Sequence, residues 1–342
     1  MSAYRFVVMN GGVADYPAIF RAACDRLGLA ATIEAYPYIR PHEFSRAKLQ
    51  DIRRRLRRRH EGEMVAFCPG AMEHFVEGAD VSFQFSAYRS WRDASTIVLP
   101  HPWSPVRPPS GSELRWREKP PLAVGFMGTT YGGSRAARLV SRGPDRVRRW
   151  LLAGGLVRHA GVQALLDELG VPHRYAPAFP RFEALDALRR SRALEGEGRL
   201  EIVDTAGFDG TARKIDRFAN HLLRTTYVFC PRGCENYSFR VYEALAFGRV
   251  PVILDTDMVL PDWIAWDEVA LVLPGDAADH AWDLIVDDYL SRSAEAFRAR
   301  QEAALRLARE LASERWLAAE IAGALGIGKT RDLVPASAAA MR

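Results

Sequence analysis

The stretch Tyr227-Val-Phe-Cys-Pro-Arg-Gly-Cys-Glu-Asn-Tyr-Ser-Phe-Arg-Val-Tyr-Glu-Ala-Leu-Ala-Phe-Gly-Arg-Val-Pro-Val-Ile-Leu254 reads as strand, loop, helix, cap and strand in succession. Its two ends, residues 227–229 and 250–254, are short apolar runs of the kind that lie buried in parallel sheets. Residues 230–237 mix Pro, Gly, Asn and Ser, all loop chemistry, and Ser238 stands where a helix would be capped. Gly248 ends that helix at the position where left-handed backbone is needed, and Pro251 enters the next strand. A helix that starts at the C-terminal end of a strand aims unpaired N–H groups into the crevice above the sheet, which makes a ready anion site. Arg232 and Arg240 flank that point, and guanidinium groups suit bidentate phosphate contact. Glu243, about a turn and a half into the helix, has two oxygens with which to accept hydrogen bonds from the vicinal hydroxyls of a ribose. Arg240 and Glu243, three apart, also have the spacing of a plain helix ion pair.

Outward from this segment the same alternation continues. Buried-strand patterns fall at residues 4–9, 64–67, 81–85, 96–99, 122–127, 200–203 and 269–273. Helical patterns fall at 17–27, 146–152, 161–169, 211–224 and 238–247. Strand and helix alternating in both halves predicts α/β architecture with parallel sheets. The stretch His101-Pro-Trp-Ser-Pro-Val-Arg-Pro-Pro-Ser-Gly-Ser112, followed by Lys119-Pro-Pro121, has the Pro/Gly/Ser content of a linker. The expected organisation is two doubly wound, Rossmann-like domains facing a cleft. Residues 1–112 form the first, on the acceptor side, 113–121 the linker and 122–292 the ligand-binding second domain. Amphipathic helices within 293–328 pack on one or both domains, and 329–342 is a loose tail. No internal repeat of fixed period is visible.

At 342 residues, 48% apolar and 26% charged, the chain has enough material for two cores and none of the bias of a disordered or fibrous protein. No run approaches the roughly 18 apolar residues of a membrane span, and the opening Met1-Ser-Ala-Tyr-Arg5 leads into too short an apolar block for a secretory signal. Four cysteines, Cys24, Cys68, Cys230 and Cys234, make no disulfide framework, so a cytoplasmic setting is expected. Of the 47 basic residues 43 are arginine, and the net charge is +5. The densest cluster, Arg53-Arg-Arg-Leu-Arg-Arg-Arg-His60, closes a helix that opens near His42. It reads first as a solvated helix end and second as a peripheral contact for an anionic acceptor or the inner membrane face. No zinc knuckle, basic zipper or aromatic RNA-binding motif accompanies it, so nucleic acid is not an expected partner.

The segment from Tyr227 to Pro274 resembles the C-terminal signature of the exostosin-like glycosyltransferases. The residues that carry the likeness are Cys230-Pro-Arg-Gly233, Ser238-Phe-Arg240, Glu243-Ala-Leu245, Gly248, Val250-Pro-Val-Ile253 and Leu260-Pro261 with Trp263 or Trp266 after it. Weaker echoes lie in residues 122–128 followed by Arg135 and Arg138, similar to the family's opening strand and arginine-bearing loop, and in Arg92-Asp93 through Pro100. The rest of the N-terminal half departs from the pattern. The resemblance implies a GT-B fold and inversion at the anomeric carbon. It also implies a nucleotide-sugar donor, commonly a UDP-sugar, and a glycan or lipid-linked acceptor, here in a bacterial-type cytoplasmic member. On this reading Arg135, Arg138, Arg232 and Arg240 contact the diphosphate, Ser238 caps the helix and donates to phosphate, and Glu243 accepts from the ribose.

An inverting displacement needs stabilisation of the leaving group and a base for the acceptor hydroxyl. The helix end and arginines supply the first without metal or other cofactor. The base is expected on a first-domain loop, with Asp15 and His74 leading and Glu73 and His101 behind them, although capping or structural roles fit these residues too. Asp255-Thr-Asp257 has the look of a metal-binding Asp-X-Asp, and Cys230 and Cys234 lack the second pair of a zinc site. Two alternatives remain. Glu235-Asn-Tyr-Ser238 with Glu243 is also similar to the α-1,3-fucosyltransferases, which use GDP-fucose, but Phe239-Arg-Val241 departs from that family's Thr-Glu-Lys. A non-catalytic glycan- or phosphate-binding protein would keep the same cleft.

Overall fold

The computed structural model describes residues 4–10, 14–37, 46–70, 78–109, 114–129, 181–195, 198–205, 211–233 and 236–327. In the first lobe these are β1 (Tyr4–Met9), α1 (Tyr16–Arg26), β2 (Ala31–Tyr36), α2 (Arg46–Arg57), β3 (Met64–Gly70), β4 (Val81–Gln84) and β5 (Thr96–Val98). The strands form one parallel sheet in the order β2-β1-β3-β4-β5. The second lobe holds β6 (Ala123–Gly128), α3 (Arg181–Glu195), β7 (Arg199–Asp204), α4 (Ala212–Leu223), β8 (Tyr227–Phe229), α5 (Phe239–Ala246), β9 (Val250–Asp255) and β10 (Leu271–Pro274). Three helices close the described chain: α6 (Ala281–Ser291), α7 (Ala294–Leu311) and α8 (Arg315–Ala324). The second sheet is also wholly parallel, in the order β10-β9-β8-β6-β7.

Numbered within each lobe, both orders are 2-1-3-4-5, so the chain folds the same topology twice without a repeat visible in its residues. Each sheet therefore has a switch point between its first and third strands, where the connections leave in opposite directions and open a crevice at the strand C-terminal ends. The doubly wound expectation holds. The strand absent from the sequence reading, β2, is an edge strand of half-exposed residues around Glu34 with no continuous apolar run. Also unanticipated was α3, announced only by Pro180 in front of Arg181. The expected helices at 146–152 and 161–169 lie outside the described residues, as does the tail from 329.

Apolar packing joins the lobes. One core cluster runs from Phe6, Phe20 and Phe83 through Trp316, Leu317 and Ile321 of α8 to Val241 and Leu245 of α5. The helix α8 sits on α1, while α7 lies against α5. On the far side of the lobe junction Tyr88 and Met258 form an antiparallel bridge. There Arg89 donates to both oxygens of Asp255 at 2.9 Å and to the Met258 carbonyl at 2.8 Å. Ser90 donates to Asp257, whose φ of 63° is the left-handed turn that brings its carboxylate round. Asp255 and Asp257 thus latch the lobes together through Arg89 and Ser90, which is how the structure uses the Asp-X-Asp pattern.

The arginine-rich end of α2 is partly built into the fold: Arg55 reaches Glu34 at 2.7 Å and Asp51 at 3.2 Å, and Arg59 reaches Asp80 at 3.0 Å. Cys24, Cys68 and Cys230 are buried. No helix among the described residues is long and apolar enough to cross a membrane.

Glu320 on α8 is partly buried beside Asp262, and burial first, then that neighbouring carboxylate, push its carboxyl up to about 7. A carboxyl raised in the native state favours its neutral form. Its contribution to stability is therefore fully present below the unfolded value near 4.3 and is lost as pH rises through about 7. Glu320→Gln is expected to raise Tm at pH 8 and leave it unchanged at pH 4. Thermal melts across that range check it, and a constant offset between the two proteins would refute the assignment.

Candidate functional site between the lobes

A cavity of about 310 Å³ opens at the second lobe's switch point, where the ends of β6 and β7, the loop after β8 and the start of α5 meet the linker from the first lobe. Ser238, Arg240 and Glu243 all line it, and the linker faces them with Trp103 and Ser104.

Arg240 is fixed by backbone rather than by a carboxylate. Its Nε donates to the Met127 carbonyl at 2.8 Å, and its guanidinium lies 4.8 Å from the Phe126 ring and 6.0 Å from that of Phe218. It fits because Gly128 has no side chain: a Cβ there would stand 1.7 Å from Nη2. Among the described residues neither Nη nitrogen has a hydrogen-bond partner, so the cation faces the cavity with donors to spare. Burial holds Arg240 below the ordinary arginine value, offset in part by Glu243. The helix ion pair that the spacing allowed does not form, since Arg240 and Glu243 are not within salt-bridge distance and each has turned to a different partner.

Glu243 accepts a hydrogen bond at 2.6 Å from Ser104 Oγ, across the junction between linker and second lobe. Burial pushes its carboxyl up; Arg240, the Ser104 hydroxyl and Arg107 pull it back down. Ser238 occupies the N-cap position of α5 with φ −141° and ψ 125°, but its hydroxyl makes no capping bond. It is 6% exposed and its Oγ has no partner among the described residues, so the first-turn N–H groups and a free hydroxyl converge on one wall. The Thr205 hydroxyl, at the end of β7, also lines the cavity without a partner.

The other expected site residues fall elsewhere. Arg232 is only 2% exposed, its guanidinium lies 5.4 Å from the Tyr88 ring of the first lobe and it does not line the cavity, while its carbonyl takes part in the wall. Arg181 takes the place expected of it on the wall. From the start of α3 it donates to that Arg232 carbonyl at 3.1 Å and to Thr129 O at 2.8 Å, tying the loop after β8 to the end of β6. Asp15 is the N-cap of α1, its carboxylate accepting from Ala18 N at 3.2 Å, and it does not line the cavity. His101 sits in a cage of Tyr16, Phe85, Trp103 and Phe239 rings, 1% exposed, with burial pushing it down to about 3. It is a neutral packing histidine, hydrogen-bonded to Tyr16. His74, Glu73, Arg135, Arg138 and Cys234 lie outside the described residues.

No family model matches the chain. It is 35% identical over 71 residues to the probable glucuronosyltransferase GUT1 of Oryza sativa subsp. japonica, which is 20% of this chain and 17% of that protein. It is 35% identical over 66 residues to the probable beta-1,4-xylosyltransferase IRX10 of Arabidopsis thaliana, 19% of this chain and 16% of that one. The chain thus spans about a sixth of the length of the curated relatives it matches. Among solved structures, a glycosyltransferase from Rickettsia africae ESF-5 aligns over 96% of this chain and 99% of its own, at 10% identity and a TM-score of 0.39. Anabaena HepE in complex with UDP and glucose aligns over 95% and 100%, at 9% identity and a TM-score of 0.40.

Proposed function

We propose that the chain is a glycosyltransferase of the GT-B kind. It would transfer a sugar from a nucleotide diphospho-sugar, a UDP-sugar in the first instance, to a glycan or lipid-linked acceptor with inversion at the anomeric carbon. One observation carries the reading: an arginine with unused N–H groups, a free buried hydroxyl and a helix N-terminus share one wall of an inter-lobe cavity at the switch point of a doubly wound sheet. The short curated matches to glucuronosyl- and xylosyltransferases support the choice of chemistry.

In this reading Arg240, Ser238 Oγ and the first N–H groups of α5 receive the pyrophosphate and hold the charge that grows on it as the glycosidic bond breaks. The Glu243 oxygen not held by Ser104 accepts from the ribose. The aromatic faces of Trp103 and Phe239 border the same space. The acceptor enters from the side of the first lobe. The base that takes its proton is sought at His74, because Asp15 and His101 are committed to capping and packing. The charge on the pyrophosphate is met by protein groups, so donor binding is expected to survive chelation of divalent metal. The chain is proposed to work in the cytoplasm, with the exposed arginines of α2 as a peripheral contact to an anionic membrane.

Isothermal calorimetry with a panel of UDP- and GDP-sugars tests the proposal. One UDP-sugar is expected to bind in the micromolar range, with and without EDTA, and to raise Tm. Selective binding of GDP-fucose would move the protein to the fucosyl reading. Absence of heat with every nucleotide sugar would remove the proposal.

A further inference from the structure

A second cavity, of about 580 Å³, lies at the opposite end of the second sheet from the one just described. It is bounded by residues at or just before the N-terminal ends of the strands, Leu122 before β6 and Ala123 opening it, Arg199 opening β7, Thr226 before β8 and Arg249 before β9. The length of the six-residue β6, about 20 Å, separates it from the Arg240 wall. The segment that leads from the linker into β6 forms its other side with Arg115 and Trp116.

Among the described residues four arginines line this space, Arg115, Arg199, Arg224 and Arg249, and no carboxylate does. Arg249 is 4% exposed, and its guanidinium lies 5.1 Å from the Trp116 ring. It donates to the carbonyls of Leu222, Leu223 and Leu114, which caps the end of α4 and uses three of its five N–H groups. No carboxylate among the described residues lies within salt-bridge distance of it, and burial holds it down at about 10. Arg115 has no partner among the described residues, and Arg199 donates only to the Arg224 carbonyl. Glu201, which does not line the cavity, stands 3.5 Å from Arg224. A concave surface with this charge balance and forked donors attracts oxyanions, and a ligand of two or more negative charges suits it better than a single carboxylate.

We infer that this cavity is a second anion site, for a phosphate-bearing ligand of the diphosphate class, independent of the nucleotide-sugar cleft. Such a ligand bridges the segment around Arg115 to Arg199 and Arg249, so its occupancy tightens the linker's hold on the second lobe.

The test uses pyrophosphate with the full chain, in an Arg240→Met background so that the inter-lobe cavity does not report. Pyrophosphate is expected to raise the Tm of that protein, while sodium chloride at equal ionic strength and glucuronate do not. Adding Arg115→Ser and Arg199→Ser, both surface changes, is expected to weaken the pyrophosphate effect at least tenfold. The same pair in the otherwise native chain should leave UDP stabilisation intact, which shows that it folds. Vesicles with and without phosphatidic acid separate the sources. Co-sedimentation that the arginine substitutions abolish assigns a lipid headgroup, and pyrophosphate stabilisation alone assigns a soluble ligand. Stabilisation that is absent in the Arg240→Met protein, that survives the two serine substitutions, or that salt or glucuronate reproduces would overturn the site.

Discussion

Gly128→Ala is expected to weaken nucleotide-sugar binding as far as removing Arg240 does, although residue 128 offers a ligand no side chain. The added methyl would stand 1.7 Å from Arg240 Nη2 and 2.6 Å from Cζ, so the guanidinium must leave its seat against the strand. The atom in the way is the far end of a flexible side chain, and β6 itself need not move. The cation that swings away abandons the Met127 carbonyl and the Phe126 ring that aim it at the cavity. A charge-assisted contact of this kind is worth about 1.5–3 kcal/mol, roughly 10- to 100-fold in Kd. Turnover should fall further, by about 10²–10³, because the growing charge of the leaving group loses the same donor. Arg240→Met is the companion variant. It removes a buried cation that makes no salt bridge and whose burial Glu243 offsets only in part, so its Tm should stay near that of the parent while binding falls equally. Calorimetry and single-turnover rates on the two proteins decide the matter. Donor affinity in Gly128→Ala equal to that of the parent would show that Arg240 does not contact the ligand.

The dependence of Arg240 on Gly128 marks where the sequence is readable and where it is not. The alternation that gives two parallel sheets is a local property: runs such as residues 64–67 and 250–254 carry their burial on their face. The loop and helix start of residues 230–243 are also local, because the positions of Ser238, Arg240 and Glu243 follow from strand end, cap and helical turn. What completes the cavity is non-local. Gly128, Thr205, Arg181 and Ser104 come from four separate parts of the chain, and only the fold makes them neighbours. Arg232 shows the opposite limit. In a loop, side chains close together in sequence leave on different sides, so spacing alone did not reveal that it turns to Tyr88. Asp15 could have been separated by its spacing, since an aspartate three residues before Ala18 at the mouth of a helix is the pattern of an N-cap. His101 follows a buried strand and precedes Trp103, and its aromatic cage is assembled from both lobes and the linker.

Glu243→Gln should make the protein more stable at neutral pH and a poorer binder of the donor. Burial raises the native carboxyl above its unfolded value, so the neutral form is the one the fold prefers. The favourable contribution is complete below about pH 4.3 and disappears as pH rises through the elevated native value. Glutamine keeps the shape and the Ser104 hydrogen bond but never ionises, so its melting temperature should coincide with that of the parent near pH 4 and exceed it at pH 8. Binding moves the other way. With the amide oxygen kept on Ser104, the ribose meets an N–H donor where the second carboxylate oxygen accepted, a loss of about tenfold in Kd. The ribose assignment has its own control: the parent should bind 2′,3′-dideoxy-UDP more weakly than UDP, and the Gln variant should discriminate little between them, as a double-mutant cycle requires of groups in contact. Ser104→Ala separates positioning from contact. Without its hydroxyl the carboxylate loses a donor that lowers its pKa, so the stability loss that starts near the unfolded value should extend to higher pH, with ribose discrimination retained. Equal discrimination by the parent and the Gln variant would detach Glu243 from the ribose and leave it a linker contact only.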